Sequence, residues 1–81
     1  FVHDPLVDKK NLKDLYGIDL KNWEDLPCSD IIISAVSHKK YLQMNIKTIL
    51  SKLVKNGTFM DIKSSYSKIK IEKLGYKVWR L

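Results

Sequence analysis

Each of the three glycines in this chain closes an apolar-striped, lysine-rich segment and precedes a run of β-forming residues. They are Gly17, Gly57 and Gly75. A glycine at such a junction can adopt the left-handed conformation that ends a helix without a Cβ clash. Repeated helix–glycine–strand junctions predict αβ units in series, and therefore a parallel sheet covered by helices. Ligands bind such sheets at the C-terminal ends of the strands, where site residues are expected.

Apolar spacing and capping residues predict the order β-α-β-link-β-α-β-α-β within one domain. The expected helices are Lys9–Tyr16 after an Asp8 N-cap, Ile46–Lys55, and a segment from Ser64 or Ser65 to Leu74. The expected strands are a short one from Val2 to Asp4, then Ile18–Leu20, Ile31–Val36, Thr58–Ile62 and Tyr76–Leu81. Because Ile31–Val36 is β-branched on both faces, we expect it to be buried on both sides and adjacent to Thr58–Ile62.

The length of 81 residues suits one small domain. The chain has no apolar run approaching the roughly 20 residues of a membrane span and no signal-peptide pattern, and it begins without Met, as a piece of a larger protein would. A single cysteine, Cys28, excludes an internal disulfide and suits a reducing compartment. A cytoplasmic location is therefore expected.

The net charge of +6 invites a nucleic-acid interpretation, but the kind of basic residue argues against it. All 15 basic residues except Arg80 are lysines. Base-edge and bidentate phosphate recognition favour arginine, and most of these lysines fall on polar helix faces. We therefore expect no nucleic-acid partner.

The residues that could carry catalysis or a metal are too few and too scattered. His3 and His38 lie far apart, and Cys28 has no neighbouring ligand at zinc-type spacing. The motifs HExxH, CxxC, GxSxG, Walker A and GxGxxG are absent. Nothing in the sequence is placed to activate the Cys28 thiol, so a structural cysteine is expected. The sequence predicts no metal and no catalytic residue in this chain.

Polar residues follow the predicted strands, at the edge where ligands of parallel sheets bind. Asp4 follows the first strand, His38 the apolar strand, and Asp61 and Lys63 the fourth. The alternative is that Asp4 and Asp61 cap turns and that His38 satisfies backbone groups. Lys63 stands at a strand–helix junction, where a cation is a natural partner for an anion. Lys63 is therefore the main candidate for substrate binding, and Asp61 and His38 are the weaker ones.

Several segments resemble, in order, the C-terminal nucleotide-binding domain of the UDP-glucose/GDP-mannose dehydrogenase family. They are Val2-His3-Asp4-Pro5-Leu6-Val7-Asp8, Tyr16-Gly17-Ile18-Asp19-Leu20, Ser29 to Tyr41, Gly57-Thr58-Phe59-Met60-Asp61-Ile62-Lys63 and Val78-Trp79-Arg80-Leu81. The resemblance is closest to the bacterial branch acting on UDP-N-acetylhexosamines.

This resemblance implies a Rossmann-like parallel sheet with helices on both faces. It also implies part of an NAD-dependent, homodimeric enzyme of polysaccharide biosynthesis that oxidises the C6 alcohol of a UDP-sugar to a uronic acid. This domain would bind the UDP moiety, with Lys63 at the family's substrate-binding basic position, while NAD would bind to an absent N-terminal domain. Cys28 does not match the setting of the family's catalytic cysteine, so the fragment alone is expected to be inactive.

The same resemblance implies that the first, central strand and its helix are missing. The Val2 strand is then expected either to pair directly with the Ile31 strand or to leave room for a strand from another chain.

Two other functions remain open. One is a non-catalytic basic α/β interaction module that binds acidic partners or nucleic acid. The other, a receiver-like regulatory domain, is less favoured because no Asp-Asp pair lies near the first strand.

Overall fold

The computed structural model describes residues 1–81, and its three strands form one parallel sheet. The elements are α1 (Lys9–Tyr16), a 3-10 turn (Trp23–Asp25), β1 (Ser29–Ser34), α2 (Lys39–Leu42), α3 (Ile46–Leu50), β2 (Leu53–Asp61), α4 (Lys68–Lys73) and β3 (Lys77–Arg80). The strand order is β1-β2-β3, and both pairs are parallel. The predicted α/β class, a parallel sheet with flanking helices, is confirmed. None of the helices has the length and apolar character needed to cross a membrane.

Local capping signals fix α1 at the predicted bounds. The Asp8 side chain accepts hydrogen bonds from the amides of Lys10 and Asn11, which would otherwise lack partners in the first turn. Gly17 ends the helix in the left-handed conformation with φ of 67°. Gly75, with φ of 96°, follows α4 in the same conformation.

Gly57 does not end a helix, and that prediction was wrong. It is buried inside β2, and a Cβ atom there would lie 2.9 Å from the Val54 carbonyl oxygen and 3.0 Å from that of Asp30. The close approach of β1 to β2 therefore requires glycine at this position. The left-handed residue in this stretch is its neighbour Asn56, with φ of 63°.

Two predicted helix bounds were also wrong. The helix expected to reach Lys55 ends at Leu50, and β2 already begins at Leu53. Leu50 and Leu53 are both buried. Residues three apart would share one face of a continuous helix, but a turn followed by a strand buries both leucines as well, so apolar spacing alone does not distinguish the two. The last helix begins after Ser67, whose hydroxyl accepts the Lys70 amide, and not after Ser64 or Ser65.

The hydrophobic core lies on one face of the sheet, around the fully buried Phe59 of β2. The strand register places Ile32 of β1 and Val78 of β3 beside Phe59. Helices α3 and α4 cover this face with buried side chains, which are Ile49, Leu50 and Ile71. Leu53 completes the cluster.

The prediction that Ile31–Val36 is buried on both sides was wrong. Ile31 and Ile33 are 52% and 62% exposed, and Trp79, which shares their face, is 44% exposed. The reason is that the helices which bury the core pack on the other face of the sheet, so the face that carries Ile31, Ile33 and Trp79 is left open.

The N-terminal segment lies apart from the three-stranded sheet. Val2 forms an isolated parallel bridge with Leu20, and the Lys21 amide donates to the Val2 carbonyl at 2.8 Å. Direct pairing of the Val2 strand with β1, one of the two arrangements expected, does not occur. Space is left between them.

Candidate functional site

A cavity of about 500 Å³ separates the N-terminal segment from β1. All of the consecutive residues Phe1–Asp4 line one side of the cavity, and all of the consecutive residues Ile32–Val36 line the other. Since side chains alternate between the two faces of a strand, a wall made of successive residues is a strand edge. We call this cavity the slot.

The slot opens onto the hydrophobic core. Twelve of its 18 lining residues are hydrophobic, and the aromatic ones include Trp23, Tyr41, Phe59 and Tyr66. Phe59 and Tyr66 pack edge to face, with ring centroids 5.3 Å apart. Trp23 packs in the same way against His3, at 5.5 Å. A guest in the slot would therefore meet a rigid aromatic surface on the core side.

A hydrogen-bonded cluster closes the end of the slot where β1 terminates. The Tyr41 hydroxyl donates to the His3 carbonyl oxygen at 2.9 Å, and His3 Nδ1 lies 2.7 Å from the same hydroxyl. Because the hydroxyl proton is used by the carbonyl, Nδ1 of His3 carries a proton and donates to Tyr41 Oη. His38, which caps α2 just after β1, places Nε2 3.3 Å from Asp4 Oδ1.

Burial shifts the pKa of three groups that line the slot. It lowers the pKa of His3, with the nearby Lys40 charge acting in the same direction. It raises the pKa of Tyr41 to about 12. Burial likewise raises the pKa of Tyr66, against the opposing effect of a hydrogen bond with Ser34. Near neutral pH the slot therefore offers neutral hydroxyls and a neutral imidazole.

The opposite end of the slot carries a cation. The Lys52 ammonium donates to the Leu26 carbonyl oxygen at 2.9 Å, and the Lys52 carbonyl accepts from the Ser29 amide where β1 begins. An ammonium group has three donors, so others remain for a guest. The two ends of the slot thus differ: Lys52 lies at the start of β1, and Asp4 with His38 lies past its end.

The predicted site residues do not come together. His38 lies at the Asp4 end of the slot. Asp61 is fully buried, and its two carboxylate oxygens accept the amides of Ser65 at 3.1 Å and Tyr66 at 2.9 Å, which matches the turn-capping alternative. Lys63 is exposed in the turn after β2 and forms no ion pair. Its role as an anion partner stays a prediction.

The residues that shape the slot were largely missed from the sequence. His3 and Tyr41 are separated by most of the first half of the chain, and only the fold joins them. The available signal was the aromatic residues near strand ends, such as Tyr41 and Tyr66. Cys28 is exposed and donates its thiol to the Ser51 carbonyl, away from these groups. Together the lining groups supply apolar contact and neutral hydrogen-bonding groups, which is chemistry suited to binding.

Comparison with known proteins gives one curated relative. The chain is 30% identical over 80 residues to Protein CapL of Staphylococcus aureus. The match covers 99% of this chain but 18% of CapL, so the chain spans under a fifth of that protein's length. No protein-family model and no solved structure matches the chain.

These findings contradict the dehydrogenase assignment. No family model matches, and the name of the relative specifies no oxidoreductase. Membership of the UDP-glucose/GDP-mannose dehydrogenase family, oxidation of a UDP-sugar with NAD and a role in polysaccharide biosynthesis therefore do not stand for this chain. The resemblance was built from short strand-and-turn patterns, and a shared fold does not carry a shared function. The basic module for acidic partners or nucleic acid gains no support either.

Proposed function

We propose that this chain is a strand-accepting binding domain, in which the slot holds an extended segment of a partner polypeptide. The observation that carries the proposal is the outer edge of β1, which has no strand partner and borders the slot at Ile32–Ser34, with Ala35 and Val36 of the exit from β1 continuing the same wall. Unpaired backbone groups along a strand edge are a template for another strand.

The directions of individual amide and carbonyl groups in β1 support this proposal. The Ser34 carbonyl accepts the Ile62 amide, so Ser34 directs its hydrogen bonds toward β2. Successive residues of a parallel strand point their amide and carbonyl groups to opposite sides. Ile33, which lines the slot, therefore directs its backbone groups toward it, where a guest strand can pair with them.

The composition of β1 is that of an interior strand. Ile31, Ile32 and Ile33 make it apolar on both faces, as the strands in the interior of parallel sheets are. With a strand in the slot, β1 would become such an interior strand. A small apolar ligand would also suit the cavity volume, but it would leave the outward amides of β1 unpaired.

Binding of a model strand tests the proposal. The probe is a capped neutral peptide, Gln-Thr-Val-Ile-Val-Thr-Gln. It is added to the chain in the presence of a reductant, because Cys28 is a free thiol. Reducing conditions also match the cytoplasmic location, which is part of the proposal. Saturating peptide is expected to slow hydrogen exchange of the Ile33 amide by about tenfold or more, as a new hydrogen bond protects it.

A matched pair of variants makes this test specific. Ile33→Pro removes an amide that faces the slot without removing a β1–β2 hydrogen bond, and proline is tolerated on an open edge. It is expected to weaken peptide binding about tenfold, whereas Ile33→Val, which keeps the amide, binds like the parent. Equal affinity of both variants, with circular dichroism showing both folded, would refute strand addition.

A further inference from the structure

We infer that the guest strand runs parallel to β1, with an acidic residue at its start and a basic residue at its end. This inference rests on the proposed function and adds the direction and charge pattern of the partner. It is carried by the two unlike ends of the slot, Lys52 and Asp4, both of which line it.

The cationic end lies where a parallel guest would begin. Lys52 is tied to the start of β1 through the hydrogen bond from the Ser29 amide to its carbonyl. Its ammonium is partly buried and makes one hydrogen bond, to the Leu26 carbonyl oxygen. A carboxylate at the first position of a parallel guest strand would complete the pairing of this ammonium group.

The anionic end lies where the same guest would leave. Asp4 Oδ1 accepts the Leu6 amide at 2.9 Å and faces His38 Nε2, while Oδ2 has no partner. A carboxylate oxygen without a donor is an acceptor for a cationic side chain. Lys40 lies near this end as well, since its charge acts on His3, so the attraction is expected to be weaker here than at Lys52.

The sheet itself favours the same direction. The β1–β2 and β2–β3 pairs and the Val2–Leu20 bridge are all parallel. An antiparallel guest would place its first residue beside Asp4 and its last beside Lys52, which reverses the charge pattern it needs. The direction of the guest strand and the order of its charged residues are therefore tested together.

Two peptides of identical composition test this inference. They are capped Glu-Thr-Val-Ile-Val-Thr-Lys and capped Lys-Thr-Val-Ile-Val-Thr-Glu, titrated by calorimetry at low ionic strength. The Glu-first peptide is expected to bind about fivefold more tightly, a ratio typical of two partly exposed ion pairs. Lys52→Met should remove most of this preference and Asp4→Asn a smaller part, whereas Lys52→Arg should keep it.

The outcomes separate this inference from the proposed function. Equal affinity for the two peptides, or a preference for the Lys-first peptide, overturns the inference while strand binding stands. If neither charged peptide nor the neutral Gln-flanked peptide binds, strand addition itself fails. If a variant that carries both Lys52→Met and Asp4→Asn still prefers the Glu-first peptide, other residues recognise the charges of the peptide, and the inference is also overturned.

Discussion

At the scale of the residue, Asp61 shows how a polar group at a strand end can be structural. Its carboxylate is fully buried and accepts two backbone amides of the turn that follows β2. Those amides have no other partner, so the side chain fixes the path of the chain toward α4. The Tyr66 ring, which lines the slot, is positioned by the same turn.

Replacing Asp61 is therefore expected to destabilise the fold. Asp61→Ala leaves two amides without an acceptor and should lower the free energy of unfolding by about 1–3 kcal/mol. Asp61→Asn keeps one carbonyl acceptor and should lie between this variant and the parent. Urea denaturation measures the difference, with Asp14→Asn on the exposed face of α1 as the control, expected within about 0.5 kcal/mol of the parent. An Asp61→Ala variant as stable as the control would contradict this role.

Single residues were predictable from the sequence where their partners are close along the chain. The Asp8 cap and the Gly17 terminus of α1 were both found, because each acts within a few residues. The pairing of His3 with Tyr41 was not, because no local pattern relates positions so far apart. The candidate site was missed for the same reason: its walls are two segments that meet only in the folded chain.

At the scale of the element, β2 shows why helix and strand bounds could not be fixed from apolar spacing alone. The same buried leucines satisfy either arrangement after Leu50, and pairing with β1 selects the strand. The register between the two strands shifts between Ser29 and Ile31, opposite the stretch of β2 that contains Gly57. Close backbone contact at Gly57 is a tertiary constraint and leaves no local signature other than the glycine itself.

Gly57→Ala is expected to disturb the β1–β2 pair. The added methyl group would meet two backbone carbonyl oxygens that cannot move independently, at a cost of about 1–3 kcal/mol in stability. The neighbouring Asn56→Gly should change stability by no more than about 1 kcal/mol, because glycine adopts the same positive φ without a clash. Thermal unfolding of the two variants provides the comparison. If Gly57→Ala unfolds at a temperature no lower than Asn56→Gly does, the backbone at Gly57 has room for a Cβ atom and this explanation is wrong.

At the scale of the whole molecule, few contacts join the N-terminal segment to the sheet. The chain extends over 41 × 22 × 21 Å and has a radius of gyration of 13.1 Å, against about 12 Å for a compact chain of this length. Eight of 81 residues are buried. The hydrogen bonds between His3 and Tyr41, together with the contact between His38 and Asp4, join the two sides of the slot.

Burial of the His3 imidazole makes stability sensitive to acid. The pKa of His3 is lowered in the folded chain, so the unfolded chain takes up a proton first as the pH falls. Stability is therefore complete above the unfolded pKa of about 6.5 and is lost as the pH falls through the lower folded value. Urea titrations at pH 7.5 and pH 5 should show this loss in the parent, and a smaller one in His3→Asn, whose amide does not titrate. An equal loss in both would assign the acid sensitivity to other groups.

The two outer strands of the sheet are protected to different extents. β3 is short and carries Lys77 and Arg80, charges that discourage a further strand from pairing with it. From Ile31 to Val36, β1 and its exit have neither charge nor proline. The β3 edge of the sheet is thus protected against aggregation by its charges, whereas the β1 edge is not. Without a strand in the slot the outer edge of β1 stays open, so chain made in excess of the proposed strand partner would be prone to aggregate, and the supply of the two would need to be matched.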